Sequence, residues 1–414
     1  MNPNRRGDTF RILVPRETAQ RLASAMSRRR FLALTGGAAA AAALAACGSD
    51  DESGGATTGA TPGGSSAGSV PGSAGATTPA TSGGDIDRAL NMYTFAEYDD
   101  PDLLAEWGDI TISIFDSNEE AVQKLAQVGD SSGYDLVVPT GVYIPQLVAA
   151  DLLEPLDKSR IPNFVNLDAP YVNQSWDPEN RHSVCKDWGT TGWIYDTSVV
   201  TSEITTWSDF IRVAQTEASG STSVLDAPPD LAGIYFWANG IDWTTEDEAQ
   251  LDACEEFLVN ELASHIKEFD SYPGIALTSG QYALSQVWNG DARQGLLGVA
   301  EAGDDSDQYR WGIGAPETEL WMDNWCILKG AQNKDAAYDF INFILDPANS
   351  YTDLQYHGYH TGLKGIEELA KDIEFRDMVF FTPEQVATMK SGAVNSAQDR
   401  LVQIYSNVKA KAAG

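Results

Sequence analysis

Positive charge is scarce in this 414-residue chain: 27 Lys and Arg stand against 60 Asp and Glu, for a net charge of −33. That balance excludes a generic nucleic-acid binder, which needs a basic face to neutralise phosphates. It also disfavours electrostatic docking on anionic lipid. It favours a cationic partner, or a surface kept soluble by its charge. Histidine and cysteine are also few, four of each. No Cys-x-x-Cys spacing occurs, which argues against a structural zinc site. His357 and His360 flank Gly358, which interrupts the helix that i, i+3 ligation would need, so both are expected to be loop histidines and no metal is expected. The body beyond residue 84 lacks a Gly-x-Ser-x-Gly elbow, a Walker A loop, a His-Glu-x-x-His pair and a Gly-x-Gly-x-x-Gly turn. A carboxylate pair for acid–base work stays open, but nothing singles one out, and no cofactor is implied. Beyond the N-terminal region no segment reaches the length of a membrane-spanning apolar run.

Residues 1–47 reverse the sign of the charge. They carry eight Arg with Asp8 and Glu17, a net +6, which leaves −39 for the rest. Ser27-Arg28-Arg29-Arg30-Phe31-Leu32 has the form of a twin-arginine export signal. The apolar run that follows, Phe31 to Ala46, is too short for a comfortable span of about 20 residues. It ends in Leu44-Ala45-Ala46-Cys47-Gly48, which resembles a bacterial lipobox, and the resemblance implies cleavage before Cys47 and a lipid on its sulfur. The order of the three features weighs against a plain secretory signal with a chance cysteine. Residues 1–46 are therefore expected to be a twin-arginine lipoprotein signal. Residues 47–84 are almost entirely Gly, Ser, Thr, Ala and Pro, with nothing large to bury. They are expected to be a lipid-anchored flexible linker with a reach of about 35 Å, holding the body at the outer face of a membrane. With Cys47 lipidated, three cysteines remain. Cys254 shares a helical face with Leu251 and Leu258 and reads as a small core hydrophobe; Cys185 and Cys326 are candidates either for a disulfide or for free thiols.

In the body, strands and helices alternate. Leu90 to Tyr93, the alternating Ile110, Ile112 and Ile114, and the wholly apolar Leu136-Val137-Val138 read as strands. Helices are expected at Asp102 to Trp107 behind Pro101, after Asn118 as a cap, and at about Ile144 to Ala150. Further on, Ser223 to Leu225 and Gly295 to Ala300 read as strands. Leu231 to Asn239, Glu246 to Ala263, Gly280 to Trp288 and the amphipathic stretches around Phe340 and Ile404 read as helices. Such alternation means α/β architecture with parallel sheets covered by helices, and about 330 residues exceed one core, so two lobes are expected.

The chemically suggestive feature is aromatic. Aromatic residues stand beside carboxylates in segments bounded by Gly or Pro, at Phe95-Ala96-Glu97-Tyr98, Trp288-Asn289-Gly290-Asp291 and Trp321-Met322-Asp323-Asn324-Trp325, with Gly358-Tyr359 nearby in style. Such a set suits an organic cation: aromatic faces attract ammonium groups by about 0.5–2 kcal/mol each, and carboxylates accept charge-assisted hydrogen bonds from them. Each aromatic taken alone is equally at home in a core.

At these residues the chain resembles the spermidine/putrescine-binding proteins of bacterial ABC importers. The strongest blocks are Tyr134-Asp135-Leu136-Val137-Val138-Pro139, Trp288-Asn289-Gly290, Trp321-Met322-Asp323 and Glu97-Tyr98, with weaker support at Trp188 to Gly192 and at Trp207-Ser208-Asp209. The resemblance implies a two-lobed type II periplasmic-binding-protein fold, with mixed, mainly parallel sheets and a hinge of crossing strands near Gly192 to Tyr195 and Glu319 to Asp323. It places lobe 1 at 85–194 and 322–368, and lobe 2 at 195–321 and 369–414. It implies a monomeric polyamine-binding subunit that does no chemistry and delivers its ligand to ABC permease subunits. By position it assigns ligand contacts to Phe95, Tyr98, Thr140, Tyr143, Asp226, Asp230, Trp288, Trp321, Asp323 and Tyr359, with Asp323 and Asp226 taking the ammoniums. Phe95 stands where the family has Trp, Val142 where it often has Tyr, and Pro228-Pro229 alters the spacing ahead of Asp230. These departures leave open which amine is bound. Other readings are another small organic cation or polar solute on the same scaffold, a carboxylate-bearing ligand if Arg293 faces the cleft, a ligand-sensing receptor, and an extracellular enzyme.

Overall fold

A computed structural model describes residues 11–13 and 86–414. The twin-arginine run, Cys47 and the linker lie outside the described residues. Residues 11–13 belong with Asp87–Gly414 in one unit.

Local chemistry accounts for the first elements. Strand β1 (Arg11–Leu13) is followed by β2 (Ala89–Thr94) and helix α1 (Pro101–Trp107). Pro101 pre-sets the first helical turn, and Asp100 accepts from the amides of Asp102 and Leu103 at 2.9 Å. In β3 (Asp109–Ile114) the three isoleucines are buried and alternate with Asp109, Thr111 and Ser113. Helix α2 (Asn118–Val128) is capped by Ser117, not by Asn118 as expected. Asn118 instead clasps Thr140, accepting from its amide and donating to its hydroxyl, both at 2.9 Å. The short buried strand β4 (Leu136–Val137), α3 (Ile144–Ala149) and the long β5 (Val184–Asp196) complete this half.

The second half runs α4 (Trp207–Gln215), β6 (Thr222–Leu225), α5 (Pro228–Asn239), α6 (Glu248–Phe257), β7 (Ile266–Asp270), α7 (Pro273–Thr278), β8 (Leu284–Trp288), α8 (Asn289–Ala302), β9 (Tyr309–Ile313) and β10 (Thr318–Ile327). It closes with α9 (Lys334–Ile344), α10 (Pro347–His357), α11 (Ile366–Leu369), α12 (Pro383–Thr388), β11 (Met389–Ser391) and α13 (Gln398–Ala412). Two expectations exchange places here. Gly280 to Trp288 was expected as a helix but ends in the buried strand β8, and Gly295 to Ala300 was expected as a strand but lies inside α8. The glycines explain the second case. A Cβ at Gly295 would meet Leu277 Cδ2 at 2.5 Å, and one at Gly298 would meet Thr278 Oγ1 at 2.4 Å, so these glycines let α8 press against α7. In β8 the buried Gln286 disguises the apolar run; its amide donates to the Asp230 carbonyl at 2.9 Å and accepts from Leu225 N at 3.1 Å.

The strands form one mixed, mainly parallel sheet, in the order β1-β3-β2-β4-β10-β5-β8-β6-β7. Parallel ladders join β1, β3, β2 and β4 on one side and β8, β6 and β7 on the other. Between them β10 and β5 run antiparallel to each other and to their outer neighbours. Strand β9 pairs with β5, and β11 with β10. A large apolar core built on Leu104, Ile110, Trp325 and Phe340 flanks the first set of strands. A second, built on Trp193, Trp207, Phe210 and Trp237, flanks the other set. Ala370, Val379, Phe380 and Met389 pack into the first core.

Cys185, Cys254 and Cys326 are all buried and free. Cys185 packs in the first core, whereas Cys326 lies in a separate cluster with Tyr93 and Phe115, which explains why they do not pair. Of the two histidines expected in loops, His357 instead ends α10 and is fully buried, whereas His360 lies in the connection after it, buried on an isolated bridge to Trp188. Among the described residues no group of three or more His, Cys, Asp or Glu is arranged to hold a metal, and no helix is long and apolar enough to cross a membrane.

Trp207 is fully buried against Trp193 (centroids 5.1 Å), Trp237 (5.0 Å) and Phe210 (5.5 Å). Trp207→Ala is expected to destabilise the protein by about 3–5 kcal/mol, read as a lower urea midpoint with an unchanged slope. A loss below about 1 kcal/mol would contradict this packing.

Candidate functional site

Strand β10 sets the site. Glu319, Trp321 and Asp323 alternate along it, so they share one face, and all three line a cleft of about 1230 Å³, open solvent at its mouth included. The lining contains six carboxylates, Asp116, Glu119, Asp230, Asp291, Glu319 and Asp323, and nine aromatic side chains, but no Lys, Arg or His. A cleft with that much negative charge and no counter-charge selects against anions and invites a cation.

Asp323 is 4% exposed. Its Oδ2 lies 2.7 Å from the Tyr98 hydroxyl, which also lies 2.6 Å from Asp187 Oδ1. A hydroxyl carries one hydrogen and can donate to one carboxylate at a time, so Asp187 and Asp323 compete for it. Burial and the Asp187 charge push the Asp323 carboxyl up to about 7, against the opposing pull of Thr140, Tyr98 and Lys186. Asp323 Oδ1 makes no hydrogen bond of good geometry, although Thr140 beside it favours the ionised form. Behind Tyr98, away from the lining, Lys186 is buried. Its Nζ lies 3.2, 3.3 and 3.6 Å from Asp99, Asp187 and Asp353, donates to the Tyr98 carbonyl at 2.9 Å, and sits 4.1 Å from the Tyr98 ring centroid. Burial alone would lower its pKa, but the three carboxylates outweigh that and raise it. His357 Nε2 closes the cluster, 3.4 Å from Asp353 and 3.7 Å from Asp187.

The aromatic wall is ordered. Trp321 meets Tyr359 edge-on with centroids 4.8 Å apart, and Tyr359 meets Tyr98 at 6.0 Å. Phe95 stands against Tyr98 at 5.6 Å and Phe115 at 4.4 Å, and the half-buried Trp288 completes the lining. Close backbone approach makes this possible, since a Cβ at Gly189 would strike the Trp321 ring at 2.5 Å. The Tyr359 hydroxyl donates to Asp291, whose carboxyl burial lifts to about 6 despite that bond.

At the other end the Thr191 hydroxyl lies 3.0 Å from Asp230 Oδ1 and 2.9 Å from Glu319 Oε2, and the two acids also share a direct side-chain hydrogen bond. Burial lifts Asp230 to about 6 and, with Asp230 beside it, carries Glu319 well above the usual range. Glu119 accepts from the Tyr143 hydroxyl at 2.6 Å and from Gln398 at 2.7 Å, and Asp116 from the Tyr272 hydroxyl at 2.6 Å. The Tyr359–Asp291, Gln398–Glu119 and Tyr272–Asp116 bonds each join the two walls.

Of the ten residues expected at the site, nine line this one cleft: Phe95, Tyr98, Thr140, Tyr143, Asp230, Trp288, Trp321, Asp323 and Tyr359. Asp226 does not. Its carboxylate is neutralised by Lys409 at 2.9 Å, so it is not placed to take an ammonium. Arg293 does not face the cleft either; its guanidinium is buried and donates to the Glu374 and Gln355 carbonyls, each at 2.9 Å. Sequence reasoning missed Asp116, Glu119, Asp291 and Glu319. Asp291 belonged to a block already singled out for its Trp and Gly, and the period of two along β10 would have found Glu319.

A family model described as bacterial extracellular solute-binding protein matches residues 103–377. The chain is 28% identical over 341 residues to a spermidine/putrescine-binding periplasmic protein of Escherichia coli, covering 79% of this chain and 93% of that one. It is 30% identical over 283 residues to its namesake in Salmonella typhimurium, covering 66% and 77%. Among solved structures, a putative spermidine/putrescine ABC transporter protein of Listeria monocytogenes superposes with a TM-score of 0.69 at 24% identity, over 79% of this chain and 99% of the other. A spermidine/putrescine ABC transporter substrate-binding protein of Streptococcus pneumoniae does so with 0.63 at 26%, over 78% and 99%.

The raised carboxyls burden stability as the pH rises. For a carboxyl whose folded pKa lies above its unfolded value near 4, the native state holds the proton more tightly. That contribution is fully present below pH 4 and is lost as pH rises through the folded value. For Asp323, Asp291 and Asp230 the window runs from about pH 4 to the 6–7 range. Without ligand, melting temperature is expected to fall across that window. Asp323→Asn is expected to flatten the fall and to melt higher than the parent at pH 8 by roughly 3–8 °C. An equal slope in parent and variant would refute the assignment.

Proposed function

The chain belongs to the bacterial extracellular solute-binding proteins, and from that membership we propose that it is the lipid-anchored, polyamine-binding subunit of an ABC importer. The observation that carries this reading is a cleft walled by aromatic rings and six carboxylates and holding no basic side chain. Two lobes flex about β5 and β10, and ligand stabilises the closed arrangement through its higher affinity for it. An ammonium brings three N–H donors. Placed beside Asp323 it supplies the donors that the Tyr98 hydroxyl cannot, and the proton held there leaves as the cation arrives. Trp321, Trp288, Phe95 and Tyr359 cover the methylenes and present π faces to the charge. A buried ammonium without a carboxylate would be strongly unfavourable, so each end of the ligand needs its own acid. Arg293 is turned away, which favours an amine over a carboxylate-bearing solute. The subunit acts as a monomer that carries no cofactor, performs no chemistry and hands the amine to permease subunits in the membrane.

Calorimetry with putrescine, spermidine, spermine and glutamate tests the ligand class. Micromolar or tighter binding of at least one amine and none of glutamate is expected, with Asp323→Asn weakening amine binding more than tenfold. Binding of glutamate but no amine would overturn the reading. For the anchor, Cys47→Ser is expected to move the protein from the membrane fraction to the soluble fraction of expressing cells; an unchanged distribution would remove lipid attachment from the account.

A further inference from the structure

We infer that Lys186, which lies outside the cleft, is a positioning residue for the amine: by holding Asp187 it turns the single hydrogen of the Tyr98 hydroxyl toward Asp323 and keeps that carboxylate ready for an ammonium. The inference rests on the polyamine reading and adds to it a residue that the ligand never touches.

Strand register poses the problem. Asp187 on β5 stands directly opposite Asp323 on β10, and like charges so placed repel. One hydroxyl, that of Tyr98, lies between them at 2.6 and 2.7 Å. Beyond this pair the register shifts: Asn324 pairs with Cys185, and Lys186 is passed over. Such a bulge re-aims a side chain, which accounts for two successive residues of β5 both reaching Tyr98. Lys186 Nζ sits 3.3 Å from Asp187 Oδ2 and 4.1 Å from the Tyr98 ring centroid. Its side chain is 1% exposed, so water does little to screen it. Asp187 thus divides its oxygens, Oδ2 toward the lysine and Oδ1 toward the phenol.

The lysine decides the competition for the phenolic hydrogen. A carboxylate beside a permanent ammonium is the weaker proton acceptor, so the hydrogen goes to Asp323. Burial and Asp187 raise the Asp323 carboxyl, whereas Thr140, Tyr98 and Lys186 lower it. On the lysine's side of the phenol stand Asp99, Asp353 and His357. Cys185, Glu319 and Tyr359 are the other titratable groups around the pair. Two effects of removing the lysine oppose each other. Its charge repels an incoming amine, so a role of charge alone predicts tighter binding without it at every pH. The positioning role predicts the reverse at neutral pH: Asp187 takes the phenolic hydrogen, Asp323 keeps a proton to higher pH, and the amine must displace that proton to solvent.

The test is calorimetry on the whole chain with putrescine and spermidine from pH 5.5 to 8.5. In the parent, affinity is expected to rise as pH climbs through about 7, where Asp323 gives up its proton. The raised carboxyls of Asp230, Asp291 and Glu319 are common to all the chains and cancel from the differences. In Lys186→Met the midpoint is expected to move up by about one pH unit, which weakens binding about fivefold at pH 7 and less than about twofold at pH 8.5. Lys186→Gln retains a donor for the Tyr98 carbonyl; it is expected to shift the same way and keeps the test available should the Met variant fold poorly. In Asp187→Asn, which removes the competing acid, the midpoint is expected to move down. Tighter binding by the lysine variants at every pH, a loss equal at every pH, or an unmoved midpoint in Asp187→Asn overturns the positioning role and leaves the polyamine reading standing. A parent chain that binds neither amine overturns both.

Discussion

A surplus of carboxylates over hydrogen-bond donors, in a place that water reaches poorly, governs this molecule. Tyr98 offers one hydrogen to Asp187 and Asp323, and Thr191 one to Asp230 and Glu319. Because desolvation penalises every buried anion, Asp230, Asp291, Glu319 and Asp323 hold their protons to higher pH than an unfolded chain would. The cleft is thus pre-stressed toward a cation. Part of the energy gained on binding is relief of a repulsion that the fold imposed, and the strength of recognition need not come from new contacts alone.

Lys186 shows how the same fold handles an ammonium when it supplies one itself. Three carboxylates, a carbonyl and the faces of Tyr98 and Trp325 surround that side chain. The arrangement combines the two interactions proposed for the ligand, charge-assisted bonds and ring faces, on the hidden side of Tyr98. It fixes the Tyr98 backbone and keeps Asp187 beside a permanent positive charge. Asp323, one hydroxyl further out, lacks such a partner. In the proposed complex a single phenol separates the resident cation from the ligand's ammonium.

Much of this was legible in the sequence, and the failures have physical causes. The period-two isoleucines of β3, Pro101 ahead of α1 and the apolar run in β4 are local signals, and they appear where local rules place them. Trp288, Trp321, Asp323 and Tyr359 could be chosen because rings and acids recur beside Gly. Asp226 failed because its neutralising lysine lies 183 residues away, a distance over which local pattern carries no information. Gly295 to Ala300 reads locally as a strand, yet its glycines serve a helix whose contact with α7 requires them. Asn118 looked like a cap because its side chain suits one, but Ser117 took that role and left Asn118 to hold Thr140. Lys186 gave no local hint, since Asp99 and Asp353 reach it only through the fold.

The three described cysteines carry a last consequence. Cys185, Cys254 and Cys326 are packed as small apolar side chains in separate clusters, and burial raises each thiol above its ordinary range, which keeps it from forming the reactive thiolate. Among the described residues, then, folding waits on no disulfide. Reducing and oxidising surroundings therefore leave the described body with the same covalent structure.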